Sequence, residues 1–454
     1  MKTLPGFMLM YCCAMLLGGS LQGSAAANDS DAAIRRTQAQ ESARKMRLED
    51  LERLAIEHNP TLKQAAAEVR AAEGRKLQAG LYPNPTIGAT GDENSPGTII
   101  RGGEFGFFIE QDVVIAGKLK LNRGIADRER AQAEIKTEAQ RLRVLNSVRQ
   151  LYYQAVGDER TVDLQSDLSR IADEAVTVTK QLYNVGQADQ PDVLQAEIEA
   201  GRAAVELAHA QNRRDRTWSE IASVVGDPGL RPAPLEGDLE KIPAPLEAES
   251  ALATILQDSP EVRHAQEGIA RAEIALRRAK VEKIPDIRVR GGLRYNRELL
   301  ERGGAPVGLE GFFDVGVRIP LFDRNQGRVA AARAEQDRAE LEAVRVKLAL
   351  RMRMASALRE HRDARHLVEK YRDEILPRAE KALELFSRSF QQMTAAYPQV
   401  LVARRSLQRL RTDYVHGLVR LWKSRVEIQG FLLTDGLQPP MSAQEGMSEM
   451  EESR

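Results

Sequence analysis

Leu54–Pro60 reads LAIEHNP, and Thr254–Pro260, about 200 residues further on, reads TILQDSP. The correspondence continues at Pro83-Asn84 and Pro285-Asp286. It returns at Tyr183–Leu194 (YNVGQADQPDVL) and Phe390–Leu401 (FQQMTAAYPQVL), which align without a gap. A chain of 454 residues built twice from one plan must fold as two similar halves, which narrows its architecture before any motif is read. The first half runs over 28–226 and the second over 247–433. Between them, 227–246 is a linker in which Pro228, Pro232, Pro234, Pro243 and Pro245 break helix.

Each half reads as a helix, a β-hairpin, a very long helix, a tight turn and a further helix. Helices are expected at about 48–81, 118–185 and 191–225, then at about 247–283, 325–390 and 398–433. The central helices approach 65 residues, roughly 100 Å at 1.5 Å per residue. A solvated single helix of that length is unstable, so each must bury an apolar stripe against neighbours, as in a coiled coil. Ile135, Leu142, Leu145, Val148, Leu151 and Tyr152 form such a stripe at three- and four-residue spacing. Pro377 predicts a kink in the second long helix.

The hairpins, at 84–114 and 286–321, carry a different period. Ile287, Val289, Gly291, Leu293 and Tyr295 alternate with Arg288, Arg290, Gly292, Arg294 and Asn296. Phe313, Val315, Val317 and Ile319 alternate with Asp314, Gly316, Arg318 and Pro320. Phe105, Phe107 and Ile109 alternate with Glu104, Gly106 and Glu110, and only Phe108 breaks that polar face. Thr86–Thr90 is a weaker fourth strand, and 92–103 and 299–310 read as exposed loops. One apolar face and one charged face, alternating with a period of two, suits a membrane barrel with lipid outside and water inside. The alternative is a half-buried sheet in a soluble domain, whose polar face more often carries Thr, Ser and Lys.

The N-terminus favours the barrel. Lys2, the short apolar run Phe7–Leu17 and Ala25-Ala26-Ala27 form a secretory signal over 1–27 with an A-x-A cleavage site. An uncleaved N-terminal anchor is the competing reading. The two cysteines, Cys12 and Cys13, lie inside the signal. Tyr11 is bulky where a lipid-attachment site wants a small residue, so removal with the signal is expected, leaving a mature chain without thiols. Beyond the signal no run of 18 apolar residues occurs, so any crossing of a membrane would use strands. The acidic end, 434–454, reads as a disordered tail. Formal net charge is zero with the signs interspersed, which excludes a nucleic-acid footprint.

Four strands are too few to close a barrel, and lipid does not tolerate open edges. Several copies must therefore complete one wall. Two would give eight strands and three would give twelve, and geometry alone leaves the number open.

The duplicated plan resembles the TolC-like outer-membrane efflux proteins over roughly 48–433. That resemblance implies an α plus membrane-β fold. Its homotrimer would form a 12-stranded outer-membrane β-barrel, four strands per subunit, continued by a long periplasmic α-helical coiled-coil barrel. It also implies a periplasmic membrane-fusion adaptor and an inner-membrane pump of the resistance–nodulation–division (RND) type as partners. Glu104, Glu110, Arg288, Arg290, Arg294, Asp314 and Arg318 would then line the lumen. Ile319 through Pro320, Leu321, Phe322, Asp323, Arg324, Asn325, Gln326 and Gly327 resembles the second-repeat signature of the CzcC-type heavy-metal branch. In physical terms Pro320 ends a strand, and Asp323 or Asn325 can cap the helix that follows. The first-repeat counterpart, Glu110-Gln111-Asp112 through Gly117-Lys118, has Asp112 where Pro is usual.

Tyr183, Val185, Gly186, Gln187 and Asp192 resemble the first helical tip that meets the adaptor, and Arg388, Phe390 and Met393 the second. Met393 stands where Gly is usual. Gln399 and Val402 stand where drug-exporting members carry acidic residues, so an acidic ring at the gate is not implied. No cofactor, catalytic constellation or resident metal site is expected. His361 and His366 are five apart and read as solvated helix positions, and Met352 and Met354 as separately packed. A duct for drugs or for a secreted polypeptide, and a soluble periplasmic coiled-coil adaptor, are the competing functions.

Overall fold

The computed structural model describes residues 45–92, 103–299, 305–392, 394 and 397–439. In chain order the elements are α1 (Leu48–His58), α2 (Pro60–Ala79), β1 (Thr86–Asp92), β2 (Glu104–Val113), α3 (Lys118–Asn184) and α4 (Gln190–Val225). The second half repeats the order with α5 (Ala248–Asp258), α6 (Pro260–Val281), β3 (Ile287–Leu299), β4 (Pro306–Val317), α7 (Gln326–Lys370), a π-helical turn (Tyr371–Ile375), α8 (Leu376–Gln391) and α9 (Tyr397–Gln429). Met46 forms a single parallel bridge with Leu235, within a small unit that includes 233–236; the described residues of 47–232 and from 237 onward form one body.

Two expected helices are broken in two. Asn59 and Ser259 adopt extended ψ before Pro60 and Pro260, because a prolyl ring excludes the α region from the residue preceding it. Each then caps the following helix: Asn59 accepts from the Thr61 N–H at 2.8 Å and Ser259 from the Glu261 N–H at 3.3 Å. At Pro377 the chain widens instead of stopping. The Leu376 N–H reaches the Tyr371 carbonyl, five residues back, so the π turn absorbs the donor that proline lacks.

The halves interlock through α3, which packs against α2 and α4 of its own half and against α6 and α9 of the other. Buried alanines recur every seven residues at the seams: Ala65 and Ala72 on α2, their repeat counterparts Ala265 and Ala272 on α6, and Ala196, Ala203 and Ala210 on α4. A small residue once per heptad lets helix axes approach closely. Among the described residues, larger side chains fill two cores. One holds Leu164, Val368, Tyr414, Leu418 and Leu421, beside the stacked rings of Tyr153 and Trp422; the other holds Ile255, Val262, Leu350, Met354 and Ile428.

Three further expectations are corrected. The chain past 433 is ordered to 439, because the Gly436 carbonyl accepts from Thr61 and Gln140 while its N–H donates to Ser147; residues 440–454 lie outside the described set. His361 is buried, not solvated, with Nδ1 3.1 Å from Ser424 Oγ, and burial pushes its pKa below the ordinary value; His366 is exposed. Part of the expected loop 299–310 is strand: β3 includes Leu299 and β4 starts at Pro306.

Candidate functional site

The two hairpins merge into one antiparallel sheet in the order β1-β2-β3-β4. The join is β2 to β3, from Glu104 opposite Asn296 to Val113 opposite Ile287. Both outer edges, β1 and β4, are unpaired among the described residues. Edge strands of this length are templates for further pairing.

Register sorts the side chains onto two faces. One carries Ile87, Phe105, Phe107, Ile109, Leu293, Tyr295, Leu309, Phe313, Val315 and Val317, all exposed in the single chain. A contiguous apolar face of this size marks a membrane or protein surface. The other face carries Glu104, Glu110, Asp112, Arg288, Arg290, Arg294, Glu310 and Asp314. Its charges interlock across strands. Arg294 bridges Glu104 and Glu310, the latter at 3.2 Å. Arg288 reaches Glu110 at 3.3 Å and Asp112 at 3.1 Å. Asn296 donates to Glu104 at 2.9 Å. Arg318, expected on this strand, lies just past its end, since β4 stops at Val317.

Phe108, which interrupts the polar alternation, has a structural reason to do so. Gly88, Phe108, Gly292 and Phe312 lie side by side across the four strands. A Cβ at Gly88 would sit 2.5 Å from the Phe108 ring, and one at Gly292 2.8 Å from the Phe312 ring. Each ring therefore lies flat over a neighbouring glycine. The Arg290 guanidinium stacks 3.9 Å from the Phe108 centroid and 5.7 Å from that of Phe312. The glycines in the pattern are the only sequence signal for this arrangement.

Below the sheet, Lys118 opens α3 with its side chain buried and its Nζ 3.1 Å from Asp286 Oδ2, the carboxylate that also accepts from the Ile115 N–H. That pair, joining the long helix of one half to the strand entry of the other, does not stand out in the sequence. Asn325 (φ 61°) precedes α7 as Gly117 (φ 68°) precedes α3, so the duplication extends to a left-handed residue at each helix start. Neither Asp323 nor Asn325 caps α7 through its side chain, contrary to expectation. Asp323 accepts from the Asn325 N–H at 2.9 Å, and the Asn325 amide donates to the Ala279 carbonyl at 2.8 Å.

At the far end of α3, Gly186 (φ 71°) closes the turn, its N–H bonded to the Tyr183 carbonyl and that of Gln187 to the Leu182 carbonyl. Tyr183 and Val185 are exposed there. Asp192 is committed to helix capping: its carboxylate accepts from the Asp189 N–H at 3.1 Å in a reciprocal capping box. The second turn runs from α8 through a bond between the Thr394 N–H and the Ser389 carbonyl; Met393 lies outside the described residues. Arg388 is paired with Glu384, and hydrogen bonding from Lys381, with the Arg388 charge, holds that carboxyl below its usual range. Phe390, Leu182, Val402 and Arg405 line a groove of about 1430 Å³ between the two helical hairpins, which Arg405 and Glu199 bridge. Among the described residues no group of three His, Cys, Asp or Glu side chains could hold a metal ion, and no helix is long and apolar enough to cross a membrane.

A sheet with an apolar face and a charged face, open at both edges and set on helices as long as α3, defines a subunit of a membrane duct. The chain belongs to the outer membrane efflux protein family, whose description matches twice, over residues 51–227 and 251–426. It is 24% identical over 392 residues to the cobalt-zinc-cadmium resistance protein CzcC of Cupriavidus metallidurans, covering 86% of this chain and 91% of that one. Its fold matches that of CusC (TM-score 0.71, 17% identity, 86% of this chain and 92% of the other). It also matches the outer membrane protein VceC of Vibrio cholerae (TM-score 0.68, 19% identity, 85% and 95%). The protein is thus an efflux channel of the outer membrane with its helices in the periplasm, and not an enzyme.

Proposed function

We propose that the chain is the exit duct of a tripartite system that exports heavy-metal cations, acting as a homotrimer with a periplasmic adaptor and an RND-type inner-membrane pump. The observation that carries the reading is the pair of unpaired edges flanking a sheet whose apolar face is exposed. In lipid every strand edge must be paired, so β4 of one copy pairs with β1 of the next until the wall closes. Three copies give twelve strands. The charged face, with Glu104, Glu110, Arg288, Arg290, Arg294 and Asp314, then lines a water-filled lumen, Arg318 lies at its periplasmic mouth, and the apolar face meets lipid. The helical tips around Tyr183, Val185, Gly186, Gln187, Arg388 and Phe390 face the adaptor.

The heavy-metal cargo rests on the likeness to CzcC and on the stretch Pro320–Gly327. Metal is substrate here, passed and not retained. A strain lacking the gene should lose tolerance to at least one of zinc, cobalt, cadmium, nickel, copper and silver and regain it on complementation. Unchanged tolerance to all six overturns the cargo. The purified, processed protein should require detergent and behave as three chains by light scattering; a water-soluble monomer overturns the duct.

A further inference from the structure

β1 and β4 are the outer strands, and both have their helix-proximal ends on one side of the sheet. Thr86, the first residue of β1, faces Glu110 near the end of β2; Val113 faces Ile287, and Ile287 faces Val317, the last residue of β4. Two short segments extend from these ends. Leu81 and Tyr82 precede β1, and Ile319, Leu321 and Phe322 follow β4. All are exposed in the single chain, Tyr82 at 60% and Phe322 at 91%.

Neither segment is a loose coil. The Tyr82 hydroxyl donates to the Val114 carbonyl at 3.4 Å, and Gln111 donates to the Pro83 carbonyl at 2.9 Å. Across the sheet, Arg324 Nε donates to the Leu321 carbonyl and Gln326 Nε2 to the Phe322 carbonyl, each at 3.3 Å. Gln111, Arg324 and Gln326 thus tie down the backbone and the Tyr82 hydroxyl holds its ring beside Val114, while Leu81, Ile319, Leu321 and Phe322 stay exposed. A surface held in place before binding loses little entropy on docking.

We infer that Ile319–Phe322 of one copy docks on Leu81-Tyr82 of the next, forming a clamp at the periplasmic end of each barrel seam. The occupant is a second copy of this chain, and the inference rests on the oligomeric reading above. Closing the wall pairs β4 with β1 of the neighbour in antiparallel fashion, and that pairing brings these two segments side by side. The same edge continues downward. On α7, Leu341, Val344, Leu348 and Met352 form an exposed stripe at three- and four-residue spacing, which the described residues of this chain leave uncovered. The signature stretch thereby acquires a role at the seam, in which Asp323–Gln326 fix the backbone while Ile319, Leu321 and Phe322 seal the joint. An aromatic ring buried at the centre of such a contact is a strong anchor.

The test uses the processed full chain, which has no other thiol once the signal is removed. The double variant Tyr82→Cys/Phe322→Cys is treated with a short bis-maleimide, beside each single variant, and oligomer size in detergent is measured independently by light scattering. The clamp requires a ladder of two and three linked chains in the double variant only. An intact oligomer that yields no ladder overturns the clamp and leaves the duct standing. A monomer overturns both. In a second arm, Phe322→Asp should release chains under detergent conditions in which the wild type and Phe322→Leu stay assembled, because the side chain is free in the isolated chain and matters only at the joint. Equal assembly of Phe322→Asp and wild type overturns the clamp, as does quenching of Phe322→Trp fluorescence by brominated lipid, which would place the residue in the bilayer.

Discussion

At the scale of single residues, the sheet is shaped as much by what is missing as by its charges. Phe108 and Phe312 lie flush with the wall only because Gly88 and Gly292 leave space beneath them. Gly106 is crowded too: a Cβ there would meet the Leu293 carbonyl oxygen at 2.4 Å and the Arg294 Cα at 2.7 Å, both backbone atoms that cannot step aside. Gly291, on the opposite face, would place its Cβ at an ordinary 3.6 Å from the nearest atom. Overpacking of this kind costs about 1–3 kcal/mol per site, and several copies share the wall. Gly106→Ala should therefore sharply reduce the amount of assembled protein in outer-membrane fractions, whereas Gly291→Ala should leave it near wild type. Equal yields of the two variants would show that the inner row does not constrain assembly. The alternation of Arg, Glu and Gly is legible in the sequence, because a period of two needs no tertiary knowledge. The stacking of Arg290 on Phe108 is not, since it depends on which residue of β2 lies beside which residue of β3.

At the scale of elements, long helices, hairpins and tips are readable because their signals are local: periodicity, proline and glycine. The misreadings share a cause. Asn59-Pro60 and Ser259-Pro260 lie inside unbroken apolar patterns, so periodicity runs through them, although proline's effect on its predecessor marks a boundary. Pro377 reads as a kink, and the chain answers with a π turn. The pairing of β2 with β3 cannot be read at all, because nothing in either hairpin encodes contact with a partner about 180 residues away in sequence. The two helix breaks are also unequal. Ser259 gives one cap bond. Asn59, fully buried, accepts from both the Thr61 N–H and hydroxyl, and its amide donates to the Val224 carbonyl at 2.6 Å, tying α1–α2 to the end of α4. Replacing a cap by alanine costs about 1 kcal/mol, and stranding a buried carbonyl adds about 1–3 kcal/mol. Asn59→Ala should thus lower the denaturant midpoint of the helical portion well beyond Ser259→Ala. Equal shifts would mean that the Val224 contact contributes nothing.

At the scale of the whole molecule, the duplication determines how charge is distributed along the duct. Each half supplies two strands, but not the same charges: among the described side chains of the four strands, the inner-face guanidiniums Arg288, Arg290 and Arg294 come from β3. The inner-face carboxylates Asp92, Glu104, Glu110, Asp112, Glu310 and Asp314 come from β1, β2 and β4. Among the described side chains of these strands, six carboxylates against three guanidiniums leave three negative charges per copy on that face. Repeated around a closed wall, this surplus concentrates in a narrow aqueous space, where low-dielectric walls focus the field and favour cations. A duct for metal cations gains from such a lining without binding any of them. The effect is measurable without opening the helical tips, because the barrel faces the cell exterior. Gly316 sits on the charged face at its helix-proximal end, and a Cβ there meets nothing within 4 Å in the single chain. A Gly316→Cys protein in whole cells should react faster with a positively charged methanethiosulfonate than with a negatively charged one of equal size. Raising salt should shrink the ratio, since the Debye length falls from about 30 Å at 0.01 M to about 10 Å at 0.1 M. Adding Glu110→Gln, Asp112→Asn and Asp314→Asn neutralises three of those carboxylates and should bring the two rates together. A rate ratio near one in the parent Gly316→Cys protein at low salt would mean that the acidic surplus does not govern entry, and that cation preference must arise at the periplasmic end or in the pump.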